Sequence, residues 1–423
     1  MERAAADAID PGRVREELAD LVAIPSLGGA EDEIADHLAR RLAIDGLDVR
    51  RIAGDLPAIS ADPAFPGTEV ERSTLPIVAA HLTGARPGPR LMLLGHVDVV
   101  PPGNRGAWAS EPFRPVLHDG TIVGRGACDM KGGLVAMLAA LRALAVATRD
   151  GRDMAGEAVA VCVPAEEDGG AGAFAAVRAG YTADAAIIPE PTRLDIVTVH
   201  AGAITFRLSV PGRAAHASTR LEGVSAIDKL GVLMRSLEAD EAARCAAETR
   251  PEMRALGLPY PTIIGTVRGG DWASTVPDRV VAEGRYGVRV GQAWSEAEAE
   301  LRLVVTAANA ADPFLRDHPA TVEVFGGRFD PAEVPPDHPL PTGLADLAAR
   351  VLGHRPALVG APYGADMRIL VNEGRTPTVM FGPGDVRKAH SANEWVAIPD
   401  VVACSRVLAA WLARGLATGL ARV

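Results

Sequence analysis

Cysteine is scarce. The 423 residues hold four, Cys128, Cys162, Cys245 and Cys404, far apart and without the paired spacing that builds zinc knuckles or redox motifs. They read as reduced, mostly buried thiols. The opening segment, MERAAADAIDPGRVREELADL, lacks the apolar core of a secretion signal, and the apolar stretch near Leu134 to Ala147 is interrupted by Arg142. Both features point to a cytoplasmic protein that does not enter a membrane. Positive charge is also in deficit: 43 Lys and Arg stand against 54 Asp and Glu, and the formal net charge of −11 repels phosphate backbones and anionic bilayers. That balance argues against nucleic acid as a partner.

What remains is ordinary globular usage, 48% hydrophobic and 23% charged residues, which supports neither a disordered nor a fibrous reading. At about 150 residues per domain the length allows two or three domains. Asp10 and Pro11 mark a helix start, followed by Val14, Leu18, Leu21 and Val22 at helical spacing, and Ile34, Leu38 and Leu42 repeat the pattern. Short apolar runs follow at Ile77 to Ala80, Leu91 to Leu94, Val159 to Val163 and Ala185 to Ile188, alternating with a long helical stretch after Met130. Such alternation predicts an α/β fold, with a mixed, largely parallel sheet covered by helices.

From about Val199 the texture changes. Four strand-like runs and two helices, one carrying Ile227, Leu230, Met234 and Leu237, predict a small α+β unit. Its second helix is expected to open on a capping box formed by Ser295 and Glu298. FDPAEVPPDHPLP reads as a proline-rich linker, after which helix and strand texture resumes through Leu344, Leu347 and Val351, the strand Thr378 to Phe381, and a last helix with Val401, Val407, Leu408 and Trp411. The smaller unit, 199–327, is thus inserted into a discontinuous larger one, 1–198 and 328–423.

Residues able to hold metal gather just after the apolar runs: His96 and Asp98 in LLGHVDVV, Asp129 in GRGACDMKGG, Glu166 and Glu167 in VCVPAEEDGG, and Glu190 in AIIPEPT. Strand ends in an open α/β sheet converge on one edge, so a single site could hold them all. A buried gathering of carboxylates repels itself unless cations neutralise it, which points to divalent metal, more than one ion. His96 and Asp98, two apart, face the same side of an extended segment, so the carboxylate could orient the imidazole, although H-x-D alone suits a solvated turn. Asp129 among glycines could simply cap the next helix, or bridge two metals with one oxygen to each. Adjacent Glu166 and Glu167 diverge, which suggests a division of labour between a ligand and a general base. GGAGAFAA contains G-x-G-x-x-A, a partial dinucleotide fingerprint, but Glu166, Glu167 and Asp168 would put negative charge where a pyrophosphate must sit. A nicotinamide-dependent oxidoreductase is disfavoured on that ground.

GHVDVVP, GRGACDMKGG, AEEDGG, PEPT and KAHSANEWV occur in the order and spacing of the dinuclear-zinc amidohydrolases, the family of acetylornithine deacetylase, succinyl-diaminopimelate desuccinylase, aminoacylase and glutamate carboxypeptidase. The resemblance spans nearly the whole chain. It implies a zinc-peptidase-like catalytic domain with an inserted lid and dimerisation domain, and two divalent ions, zinc first, with cobalt or manganese as substitutes. His96 and Glu190 would bind one ion, Glu167 and His390 the other, and Asp129 both. Glu166 would be the base, Asp98 would support His96, and a cis peptide would follow Asp129. His216, in VPGRAAHAST, matches the histidine that polarises the scissile carbonyl from the partner subunit, which implies a homodimer. Arg368, in YGADMRIL, matches the arginine that grips a substrate carboxylate.

Two departures stand out. Thr275, within GGDWASTVPD, lies where many relatives have asparagine, and Gly364, Ala365 and Asp366 replace a glycine-threonine-aspartate run. Thr275 therefore changes the hydrogen bonding open to substrate, and substrate identity cannot be copied from the family. The expected reaction is metal-dependent hydrolysis of a linear amide, removing an acyl group from an N-acyl amino acid or related small carboxylate. A carboxypeptidase, a dipeptidase or an N-carbamoyl amino acid hydrolase would share the chemistry. A non-catalytic, metal-stabilised binding module would need neither Glu166 nor His216.

Overall fold

The computed structural model describes residues 1–418. The chain forms two compact units, one of Met1–Thr198, Glu333–Val359 and the segment from Ala365 onward, the other of Val199–Ala332 and Gly360–Gly364. The return to the first unit falls at Glu333, later than the boundary at 328 read from the sequence, because Arg328 and Phe329 still pair with Ile204 and Ala203 in the smaller sheet. Nor is the proline-rich stretch a bare linker: it contributes the strand Ala332–Glu333 and, from Pro339, the first turn of the helix Pro339–Leu352.

In the first unit the sheet runs, in order of pairing, Asp48–Ala53, Pro76–Thr83, Ala155–Val163, Arg86–His96, Ala185–Ile188 and Thr378–Met380, then Ile196–His200, which carries the chain out of this unit. The first two strands pair antiparallel and Pro76–Thr83 also meets Ala155–Val163 antiparallel, whereas the four strands from Ala155–Val163 to Thr378–Met380 are mutually parallel. Those central strands read as unbroken apolar runs because both faces are covered: Leu91, Met92, Leu93 and Leu94 are all buried.

The helices Pro11–Val22, Asp32–Ile44, Gly132–Ala147 and Ile398–Thr418 contribute to one core with the sheet. The Asp10 carboxylate accepts from the main-chain N–H groups of Gly12 and Arg13 and so caps the first of them as expected. The helical stretch Ala127–Ala147 is apolar and long enough to resemble a membrane span, yet most of it is buried inside this unit, where its helix Gly132–Ala147 packs against Ile398–Thr418. Cys128, Cys162 and Cys404 are buried thiols, Cys245 is half-buried, and none is disulfide-bonded.

The second unit is a four-stranded antiparallel sheet in the order Thr262–Gly269, Arg279–Val288, Gly202–Pro211, Thr321–Phe329, packed against the helices Ala226–Ala246 and Trp294–Ala311. Leu230 and Leu237 are buried in it as expected, but Ile227 and Met234 are exposed on the opposite stripe, and Leu233 takes the core position instead. The second helix starts earlier than Ser295 would have it. Its first residue is Trp294, and the Glu296 carboxylate accepts from the N–H of Ala293.

Candidate metal centre

Four neighbouring parallel strands each deliver a polar side chain at or just beyond the carboxyl end: His96 ends one strand, Glu167 follows Val163, Glu190 follows Ile188, and His390 lies on the loop after Thr378–Met380. This is the edge on which open α/β sheets collect ligands. Asp129 joins them from the turn before Gly132–Ala147. That turn is not a helix cap: Lys131 holds the cap position, and the Asp129 carboxylate faces the two histidines.

Asp129 Oδ1 lies 3.1 Å from His96 Nε2, and its Oδ2 lies 3.5 Å from His390 Nε2. On the first side Glu190 Oε1 is 3.9 Å from His96 Nε2, and on the second Glu167 Oε2 is 3.0 Å from His390 Nε2. One carboxylate thus stands between two imidazole–carboxylate pairs. The peptide bond from Asp129 to Met130 is cis.

Electrostatics follow from this crowding. Burial lowers the His96 imidazole, but Asp129, Asp98 and Glu190 outweigh it and lift His96 well above its ordinary value. Hydrogen bonding to Asp129 and Glu167 raises His390 to about 11. Burial alone would raise Asp129, yet the two histidines hold it below the usual carboxylate range. Glu166 is pushed well up by burial, with the charges of Asp366, Glu190 and Glu167 adding to the push against the opposing pull of His96. Glu190 rises for the same reasons.

The turn that carries Glu166 and Glu167 is held by Asp98. Its two carboxylate oxygens accept from the main-chain N–H of Glu166 at 3.2 Å and of Glu167 at 3.1 Å. The sequence assigns this carboxylate to His96, whose Nδ1 lies 3.6 Å from Asp98 Oδ1 and 2.9 Å from the main-chain oxygen of the same residue. Asp98 thus serves both the imidazole, through its carbonyl and its charge, and the glutamate turn.

Several buried groups received no role from the sequence. Glu394 Oε1 accepts from the N–H groups of Cys128 and Asp129 at 2.9 and 3.0 Å while its Oε2 meets Arg125 at 2.6 Å, so it anchors the backbone of the shared aspartate. Both residues lie inside motifs already singled out, KAHSANEWV and GRGACDMKGG, where an opposite pair of charges was the available clue. Asp168 accepts from Thr68, the N–H of Val70 and Arg72, and Arg72 also meets Glu31. Asp366 is fully buried, and burial raises it to about 7 against the pull of Arg368 and His96.

His216 and Thr275 belong to the second unit, where they form an isolated antiparallel bridge and are exposed. His216 Nδ1 lies 3.2 Å from the main-chain N–H of Ser218 and 2.8 Å from its hydroxyl. Arg368 lies in the first unit and is 2% exposed, with its guanidinium bonded to the main-chain oxygens of Gly169 and Ala365.

Oxygen and imidazole donors of this kind suit a divalent cation, and one ligand atom each from His96, Asp129 and Glu167 lie within 4.8 Å of one another. Fold and site together define a metal-dependent hydrolase. Residues 92–414 match the family model Peptidase family M20/M25/M40, and the chain belongs to that family. It is 28% identical over 341 residues to N-formyl-4-amino-5-aminomethyl-2-methylpyrimidine deformylase of Bacillus subtilis, covering 75% of this chain and 77% of that one. With succinyl-diaminopimelate desuccinylase of Methylorubrum extorquens it shares 30% over 396 residues, 90% of this chain and 93% of the other. A dinuclear metal-binding peptidase of the M20 family from Bacillus subtilis has the same fold, with a TM-score of 0.59 at 17% identity over 96% of this chain and 98% of that one.

Proposed function

We propose that the protein removes the acyl group from the nitrogen of a small N-acylated amino acid or related small carboxylate. Two divalent ions, zinc by preference, would be held by His96 with Glu190 and by His390 with Glu167, and Asp129 would be shared. The observation that carries this reading is the placement of the two Asp129 oxygens toward different imidazoles. Similarity to a deformylase and a desuccinylase, both of which take an acyl group from nitrogen, supports deacylation over peptide cleavage. When bound, the ions would supply Lewis acidity to the amide oxygen and to the attacking water.

The protein's own groups would move the protons. Glu166, whose carboxylate is pushed up by burial, would accept one from the attacking water at a carboxylate oxygen and pass it to the departing nitrogen. His216 would donate from Nε2 to the oxygen that gains charge as the carbonyl becomes tetrahedral. Thr275, bridged to His216, would offer a hydroxyl to the substrate.

The same reading has the protein acting in the cytoplasm as a homodimer, with His216 reaching the partner's centre. Thr262–Gly269 is an edge strand with Ile263 and Val267 exposed, and Ile227 and Met234 are exposed on a helix of the same unit. An open edge with apolar side chains invites pairing with a second copy. Metal content measured beside hydrolysis of formyl, acetyl, succinyl, carbamoyl and dipeptide substrates tests the function. Hydrolysis of acyl substrates that stops on chelation is expected. Cleavage of dipeptides alone would make it a peptidase, and no metal-dependent cleavage at all would leave a binding module.

A further inference from the structure

The turn 164–170 carries Glu166 and Glu167, and it is closed by hydrogen bonds from Gly169 N–H to Glu166 O and from Gly170 N–H to Ala165 O. It is tied down at three places. Asp98 holds the two glutamate N–H groups, Arg72 and Thr68 hold Asp168, and Arg368 Nη2 donates to the main-chain oxygen of Gly169 at 2.7 Å. The third tie is close-packed. Gly170 has φ +78°, and a Cβ there would stand 2.8 Å from Asp366 Oδ1 and 3.0 and 3.2 Å from the two terminal nitrogens of Arg368. With 2% of its surface exposed and a main-chain carbonyl on its fork, this guanidinium is placed as an internal brace, not as a receptor for a solute.

We infer that Arg368 is a positioning residue for the metal-binding turn. It fixes Gly169, and through it the direction of Glu166 and Glu167, and it does not take the substrate carboxylate. Selection for a carboxylate-bearing substrate, where it exists, then belongs to other residues. This rests on the reading of His96, Asp129, Glu167, Glu190 and His390 as a metal centre. A buried brace behind a ligand changes metal affinity or turnover by about 10- to 100-fold when lost. A carboxylate clamp changes KM for acidic substrates alone.

The experiment compares wild type, Arg368→Gln and Arg368→Lys. Co2+ is titrated into each apoprotein while its visible absorption is followed, and kcat and KM are measured for an N-acetyl amino acid and for its carboxamide. For Arg368→Gln we expect cobalt affinity about 10- to 100-fold weaker with a changed spectrum, and an equal proportional loss of kcat/KM on both substrates. Arg368→Lys, which keeps a cationic donor for the Gly169 oxygen, is expected to recover part of both, and it carries the test if the glutamine variant fails to fold by circular dichroism. Unchanged cobalt affinity and spectrum overturn the inference, whether or not KM rises for the acidic substrate. If wild type hydrolyses neither compound, the deacylase reading fails, while the cobalt titration still decides the role of Arg368.

Discussion

Glu166 and Glu167 are chain neighbours with the same side chain, and their surroundings give them different work. Glu167 points at His390, whereas the strongest influence on Glu166, apart from burial, is the charge of His96, which Asp366, Glu190 and Glu167 oppose. Exchanging the Glu166 carboxylate for an amide of the same shape would remove the proposed base and leave the assigned ligands in place. Glu166→Gln is therefore expected to keep its metal and lose about 10²- to 10⁴-fold in turnover, read by metal analysis and steady-state kinetics on one preparation. Near-normal turnover with full metal would remove Glu166 from the mechanism.

Metal loading should be coupled to protons for a related reason. In the metal-free centre His390 is raised to about 11 by Asp129 and Glu167, so it holds a proton that a cation must displace. A raised value means that a proton is released on binding and that apparent affinity climbs with pH. Calorimetry in buffers of different ionisation heat should register that release, and an affinity that is flat between about pH 6 and 8 would contradict it.

At the scale of elements, the centre depends on how closely the core helix Gly132–Ala147 approaches the strand end that carries Glu190. A Cβ at Gly133 would stand 1.9 Å from the carbonyl oxygen of Pro189, so only glycine lets the helix lie there. Gly133→Ala must push apart the helix and the 189–190 segment. We expect a loss of about 1–3 kcal/mol in urea unfolding, the usual range for overpacking, with weaker metal binding because Glu190 moves with Pro189. Stability and metal affinity equal to wild type would show that the contact has slack.

For the molecule as a whole, the chain leaves one unit near Thr198 and comes back at Glu333, so the smaller unit is an insertion free to carry an interface of its own. Ile263 is 61% exposed on the outermost strand, which makes it a safe place to introduce charge without disturbing the core. Light scattering is expected to find a dimer for wild type and a monomer for Ile263→Arg. A variant that remains dimeric would exclude this edge as the contact.

Periodicity and strand composition were legible because burial imposes them locally: the runs at Leu91 to Leu94 and Val159 to Val163, and the stripes of the first two helices, follow from which faces meet water. His96, Glu167 and Glu190 were legible too, since they stand at or just after those runs, whereas His390 was marked only by the family resemblance. Other features depended on contacts between segments far apart in the chain. Asp98 serves the glutamate turn, Glu394 reaches back to Asp129, and Ile227 and Met234 face outward on a helix whose pattern would also suit them inside. Local sequence states what a side chain can bind. Which partner it meets depends on strand order and helix packing, because hydrogen bonds act over about 3 Å and only the folded chain brings such distant segments that close.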